Sequence, residues 1–155
     1  MEPETAALLE PFHVKVTLPV QWGEQDAFQH VNNAVYFRWF ESARIAFWNH
    51  IGLWEMMRHA RVGPILASVT CDYRRQITYP DTVHVASRVV RLGRTSFAME
   101  QVVVSEAQRA VAADGRSTVV VFDYAAGTPI PIPEGLRRAI ESLEGHMIQP
   151  DTEIP

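Results

Sequence analysis

The stretch Asp26-Ala-Phe-Gln-His30-Val-Asn-Asn33 runs directly into Ala34-Val-Tyr-Phe-Arg-Trp-Phe-Glu41. It sets a carboxylate, a histidine and two asparagines just ahead of a segment with helical periodicity. The first N–H groups of a helix have no partner inside it, and that end carries partial positive charge. A carboxylate beside such an end can activate water or attack a carbonyl, while the free amides receive the oxygen that turns negative. Those are the parts that acyl transfer needs. The same residues also read as a plain helix start, with Asn32 or Asn33 as the cap and Asp26 as a loop residue. Spacing alone leaves both readings open.

The elements around this loop follow from periodicity. Phe12, Val14, Val16, Leu18, Val20 and Trp22 alternate with polar or small residues, the period of a half-buried strand, and Gly23 closes it. From residue 33 to about 50 the period becomes helical. Tyr36, Phe40, Ala43 and Phe47 form one stripe, widened by Val35, Trp39 and Ala46, with Arg38, Glu41, Ser42 and Asn49 opposite. A stripe this wide predicts a helix covered over much of its circumference. Gly52 stops it, and a short turn follows at 53–59. Residues 65–77, 82–91, 96–105 and 110–124 are rich in Val, Thr, Tyr and Phe and read as strands. Asp114-Gly115 is a hairpin signal. A turn at 106–109, with Gly115 as a bulge, is preferred because it leaves two strands of similar length. Leu136, Ile140 and Leu143 mark a short amphipathic helix.

Composition narrows the function classes. The chain has 155 residues, 47% of them hydrophobic, enough for one domain with a full core. A net charge of −4 argues against a nucleic-acid surface. Cys71 is the one cysteine, so no intrachain disulfide can form. The acidic start lacks a signal-peptide pattern, and no apolar run reaches membrane-spanning length. A cytoplasmic protein without a membrane partner is the expectation. The histidines show no zinc-ligand spacing. There is no Gly-x-Ser-x-Gly elbow and no glycine-rich phosphate loop.

One strand, a long buried helix and four more strands, mostly antiparallel, is the order of a hotdog fold. The segment Trp22-Gly-Glu-Gln-Asp26-Ala-Phe-Gln-His30-Val-Asn-Asn33-Ala-Val-Tyr36 resembles the 4-hydroxybenzoyl-CoA thioesterase type of hotdog acyl-CoA thioesterases. The late segment Val119-Val-Val-Phe-Asp123-Tyr-Ala-Ala-Gly127-Thr-Pro-Ile-Pro-Ile-Pro133 resembles that family's last strand and exit. The likeness covers roughly residues 12–135. It implies an α+β hotdog fold, with a five-stranded antiparallel sheet wrapped around a long central helix. The expected layout is an N-terminal tail at 1–11, the hotdog thioesterase domain at 12–144 and a flexible tail at 145–155.

The resemblance also implies an activity: hydrolysis of an acyl-CoA thioester to free acid and CoA. It places the catalytic aspartate on Asp26 and the carbonyl-polarising backbone amide on Asn33. Glu24-Gln25 stand where Asp-Thr is frequent in the family, and Asn33 stands where some relatives carry histidine. His30 lies nearer the middle of the loop and is the third candidate for the catalytic set; capping or lining the site is preferred to a role as general acid. Asn32 orders the loop by capping. Phe28, Trp39 and Trp54 are candidates for an acyl pocket, although aromatics at helical spacing are more often core. Arg74, Arg88, Arg91 and Arg94 are candidates for the phosphates of coenzyme A, against the alternative of a solvated strand face. Thr95 and Ser96 can orient the substrate. No cofactor or metal is expected beyond coenzyme A as part of the substrate. A homodimer or homotetramer is expected, because a lone sheet leaves a strand edge open. The alternatives are a non-catalytic acyl-CoA-binding hotdog module and a hotdog hydratase or dehydratase.

Overall fold

The computed structural model describes residues 1–148. In chain order the elements are helix α1 (Pro3–Leu9), strand β1 (Val14–Pro19), helices α2 (Asn33–Ile51) and α3 (Leu53–Ala60), strands β2 (Val62–Tyr73), β3 (Thr82–Leu92), β4 (Ser96–Ser105), β5 (Ala110–Asp123) and β6 (Thr128–Pro129), and helix α4 (Glu134–Glu144). The strands hydrogen-bond in the order β1-β3-β4-β5-β2, and β6 pairs with β5. Five long strands were expected; the two-residue β6 is added to them. In β1 and β3, Val14 faces Ser87 and Pro19 faces Thr82, an antiparallel register.

Helix α2 buries Val35, Tyr36, Trp39, Phe40, Ala43, Arg44, Phe47, Trp48 and Ile51. At 100° per residue these positions span more than half the circumference, as the wide stripe predicts. The arginine among them was not anticipated. Gly52 adopts a left-handed φ of 74° and ends the helix, a conformation that costs a residue with a Cβ. The β4–β5 turn falls at 106–109, with Arg109 at φ 50°. Gly115 lies within β5. The inward–outward alternation of that strand slips at Ala112–Ala113, both fully buried, rather than at the glycine.

The chain forms two compact units, each drawn from separate stretches. The first comprises Met1–Ala46, Cys71–Ser87 and Gln101–Gly115. Its first eleven residues were expected as a tail but include α1. Leu9 and Phe12 pack with Ala86 and Val104 in a buried cluster, and the Glu2 N–H donates to Glu106 Oε1 at 2.9 Å. An acidic start carries no helical stripe of its own, so this docking was not legible in the sequence.

The second unit comprises Phe47–Thr70, Arg88–Glu100 and the chain from Arg116 onward. Trp48 meets Phe97 edge-on at 5.8 Å between ring centres. Buried Glu144, at the end of α4, accepts the Val89 N–H at 2.8 Å. Gly145 closes α4 in a left-handed conformation. The proposed tail at 145–155 falls partly beyond the described residues; within them, Ile148 is buried. No helix among the described residues is long and apolar enough to cross a membrane.

Candidate active site

The loop between β1 and α2 is built by its own backbone. Gln21 N–H donates to Glu24 Oε2 at 2.7 Å, which closes a 3-10 turn at Trp22–Glu24. Asp26 N–H then donates to His30 O at 3.2 Å, and Gln29 N–H returns to Asp26 O at 2.9 Å. Gln29 takes a φ of 65° to make that reversal. Asn32 N–H donates to Glu24 O and Val31 N–H to Ile77 O. Asp26 therefore sits in a tight, hydrogen-bonded turn.

Both oxygens of the Asp26 carboxylate are held. Oδ1 accepts the Phe28 N–H at 2.9 Å, and Oδ2 accepts from Asn32 Nδ2 at 3.0 Å. Asn32 Oδ1 accepts the Ala34 N–H at 2.9 Å, the geometry of a helix cap. The helix cap and the hold on the Asp26 carboxylate share one side chain. The Asn33 N–H has no hydrogen-bond partner among the described residues, as expected for the first residue of a helix.

A cavity of about 150 Å³ opens at this helix start, lined by His30, Asn33, Tyr36, Tyr73, Arg74 and Arg75 among others. A second cleft of about 460 Å³ is lined by Trp22, Gln25, Asp26, Gln29, Thr78 and Tyr79. Tyr73 donates its hydroxyl to Asn33 O at 2.9 Å and meets Tyr36 edge-on at 5.0 Å. Burial, with the Cys71 thiol as second cause, pushes both tyrosines up to about 12. Burial also raises Cys71, which the Tyr73 hydroxyl partly offsets. These phenols stay protonated donors through the neutral range.

The other candidates divide. Phe28 is 80% exposed, with its ring 6.4 Å from that of His30. His30 Nδ1 lies 3.4 Å from Val31 O, a local contact. Trp39 is buried and tilted against Tyr36 at 5.1 Å. Arg74 is engaged by Asp114 at 2.7 Å and by Asp72 at 3.8 Å.

Trp54, Arg88, Arg91, Arg94, Thr95 and Ser96 all belong to the second unit. Arg88 pairs with Glu100 at 2.7 Å. Thr95 and Ser96 are buried, whereas Arg91 and Arg94 are exposed. Trp54 is 41% exposed on α3.

The sequence reading passed over Tyr36, Tyr73, Arg75 and Trp22 as site residues. Arg75 lines the smaller cavity and has no ion pair among the described residues. The pair Arg74-Arg75 was the available signal; the positions of Asp114 and Asp72 separate the engaged arginine from the spare one. No group of three or more His, Cys, Asp or Glu among the described residues is arranged to hold a metal ion.

A family model described as the thioesterase-like superfamily matches residues 20–140. The chain belongs to that superfamily. It is 26% identical over 118 residues, 76% of this chain and 89% of the relative, to the long-chain acyl-CoA thioesterase FadM of Escherichia coli. A thioesterase from Thermus thermophilus, solved with coenzyme A and Zn, superposes with a TM-score of 0.78 at 36% identity, covering 88% of this chain and 98% of that one. A thioesterase-superfamily structure from Jannaschia gives 0.80 at 26% identity, with 96% of each chain covered. The fold is the hotdog fold, α+β with an antiparallel sheet and one long helix, and the class of chemistry is thioester hydrolysis.

Proposed function

We propose that this thioesterase-superfamily member hydrolyses acyl-CoA, with Asp26 as general base or nucleophile and the Asn33 N–H as oxyanion donor. One observation carries the reading: a carboxylate pinned to the helix start by Asn32, where Asn33, whose N–H has no partner among the described residues, lines a cavity. Donors fixed in advance where charge develops give the largest single contribution in many enzymes.

On the general-base route Asp26 takes a proton from water as the water oxygen attacks the thioester carbonyl. The carbonyl oxygen turns negative against the Asn33 N–H. Collapse breaks the C–S bond, and CoA leaves with the proton, so acyl-CoA and water become acid and CoA. On the nucleophilic route the carboxylate itself attacks, the C–S bond breaks as CoA leaves as the thiolate, and water then cleaves the resulting anhydride, giving the acid, the free Asp26 carboxylate and the proton that CoA takes up. His30 lines the site, Asn32 holds it, and Arg75 is the phosphate partner beside it. The acyl group is apolar and small to medium. The name of FadM, long-chain, marks the other end of the range to be assayed. The assembly is a homodimer or homotetramer formed through an open sheet edge. Strands β1 and β2 end the sheet, and Leu66 and Tyr73 of β2 are each about 40% exposed.

The test is thiol release from a panel of acyl-CoAs of increasing chain length, by wild type and by Asp26→Asn. Wild type should turn over at least one member. The variant keeps the shape and removes the charge, so hydrolysis should fall by on the order of a hundredfold or more while acyl-CoA still binds. Undiminished hydrolysis by the variant would place the chemistry on another residue.

A further inference from the structure

The Asn33 N–H is only as good a donor as its aim. Three contacts fix the backbone around it. Asn32 O accepts the Val35 N–H at 3.0 Å, and Asn32 Oδ1 accepts the Ala34 N–H at 2.9 Å. Both are local to the helix start: Asn32 O belongs to the peptide that carries the N–H, and the Ala34 N–H to the next peptide, which also carries Asn33 O. The third comes from forty residues away: the Tyr73 hydroxyl donates to Asn33 O at 2.9 Å. A first-turn carbonyl already serves the helix ladder, so this is a second donor on a spare lone pair. It is the one long-range hydrogen bond to Asn33 among the described residues, and Asn33 lines the cavity.

The surroundings of Tyr73 suit that purpose. It is the last residue of β2, and the next two N–H groups, of Arg74 and Arg75, both bond Ala112 O at 2.8 and 3.0 Å. Its backbone is thereby anchored to β5. Its ring packs edge-on against Tyr36, one turn into α2. The ring lines the same cavity as Asn33, and the hydroxyl remains a donor because its pKa lies near 12.

We propose that Tyr73 is a positioning residue for thioester hydrolysis: through Asn33 O it holds the Asn33 N–H aimed at the developing oxyanion. The inference rests on the functional reading above. Misaim weakens a transition-state contact more than a ground-state one, so the loss belongs in kcat.

The experiment uses the full-length protein and three variants. Tyr73→Phe keeps the ring and removes the donor. It should lower kcat about tenfold, with KM within about twofold and thermal stability nearly unchanged. Asn33→Pro removes the N–H itself at a helix position where proline is accepted, and should cost on the order of a hundredfold in kcat. In the double variant, Tyr73→Phe should add no further loss, because the group it aims is gone. Wild-type kcat in Tyr73→Phe, or full additivity in the double variant, overturns the positioning role. A matching fall in melting temperature with KM raised as much as kcat is lowered overturns it too, since that is plain structural damage. Full activity in both Asn33→Pro and Asp26→Asn would instead refute the underlying site, so the two failures are distinguishable.

Discussion

Asn32 Nδ2 donates to Asp26 Oδ2 at 3.0 Å, so the residue that starts helix α2 also orients the carboxylate six positions before it. One side chain spends its oxygen on the Ala34 N–H and its nitrogen on Asp26. Loop closure and site geometry are thereby a single arrangement, and a substitution at Asn32 can separate them.

Asn32→Asp should do so. The aspartate still caps the helix, so unfolding free energy should stay within about 0.5 kcal/mol of wild type. It cannot donate to Asp26 and places like charge beside it, so hydrolysis should drop by about tenfold or more. Asn32→Ala should lose both, with about 1 kcal/mol of stability gone. Urea denaturation and thiol-release kinetics on the two variants check this. Equal activity in the aspartate variant and wild type would mean that the Asn32–Asp26 bond does not serve the chemistry.

Arg75 should outrank Arg74 in substrate binding. Arg74 is committed to Asp114 and Asp72, whereas Arg75 lines the cavity with no ion pair among the described residues. Arg75→Gln should therefore raise KM for acyl-CoA several-fold with little change in kcat, and the effect should shrink at high salt, where exposed charges are screened. Arg74→Gln should mainly lower stability. A short thioester lacking the nucleotide is the control: if Arg75→Gln raises KM equally for it, the arginine is not reading phosphate.

The parts of this chain that were legible are those with local causes. The period of α2, the extent of β4 and the turn at 106–109 were all readable, because side-chain alternation and turn residues declare them. The Asp26–Asn33 loop stands out as a candidate site because its residues are contiguous. What was missed depends on distance. Tyr73 reaches Asn33 across forty positions, Asp114 engages Arg74 across forty more, and α1 is held by Glu106 and by Ala86 and Val104 of two later strands. No periodicity within a window reports such pairings.

Acid should loosen the N-terminal helix before the rest. The Glu106 carboxyl is held below its usual range, first by the Glu2 N–H and then by His84, whose Nε2 lies 2.6 Å away. A depressed carboxyl contributes stability above its unfolded value, about 4.3, and loses it as pH falls through the lower folded value. Glu106→Gln should flatten that acid limb and leave stability at pH 4 and below, where the wild-type advantage fades, closer to wild type than at pH 7. Chemical denaturation across the pH series tests it. An acid limb as steep in the variant as in wild type would move the effect to another carboxylate.

The buried arginine offers the sharpest stability test. Arg44 is 6% exposed, and its Nη1 donates to Gln101 Oε1 at 3.1 Å. Gln101 Nε2 in turn donates to Phe40 O at 2.8 Å and to Ser87 Oγ at 2.9 Å. Burial lowers the Arg44 pKa, opposed by Glu41, so the guanidinium depends on the amide for part of its solvation. Gln101→Leu removes the acceptor while the cation stays, and should cost about 2–4 kcal/mol. Arg44→Met with Gln101→Leu replaces both by apolar groups of similar volume and should recover a good part of that loss, because an ion-free core escapes the desolvation penalty. The comparison is a double-mutant cycle in urea with four proteins. If the double variant is as unstable as the two single losses added, Arg44 and Gln101 are independent, and the cost of Gln101→Leu comes from the Phe40 carbonyl and the Ser87 hydroxyl instead.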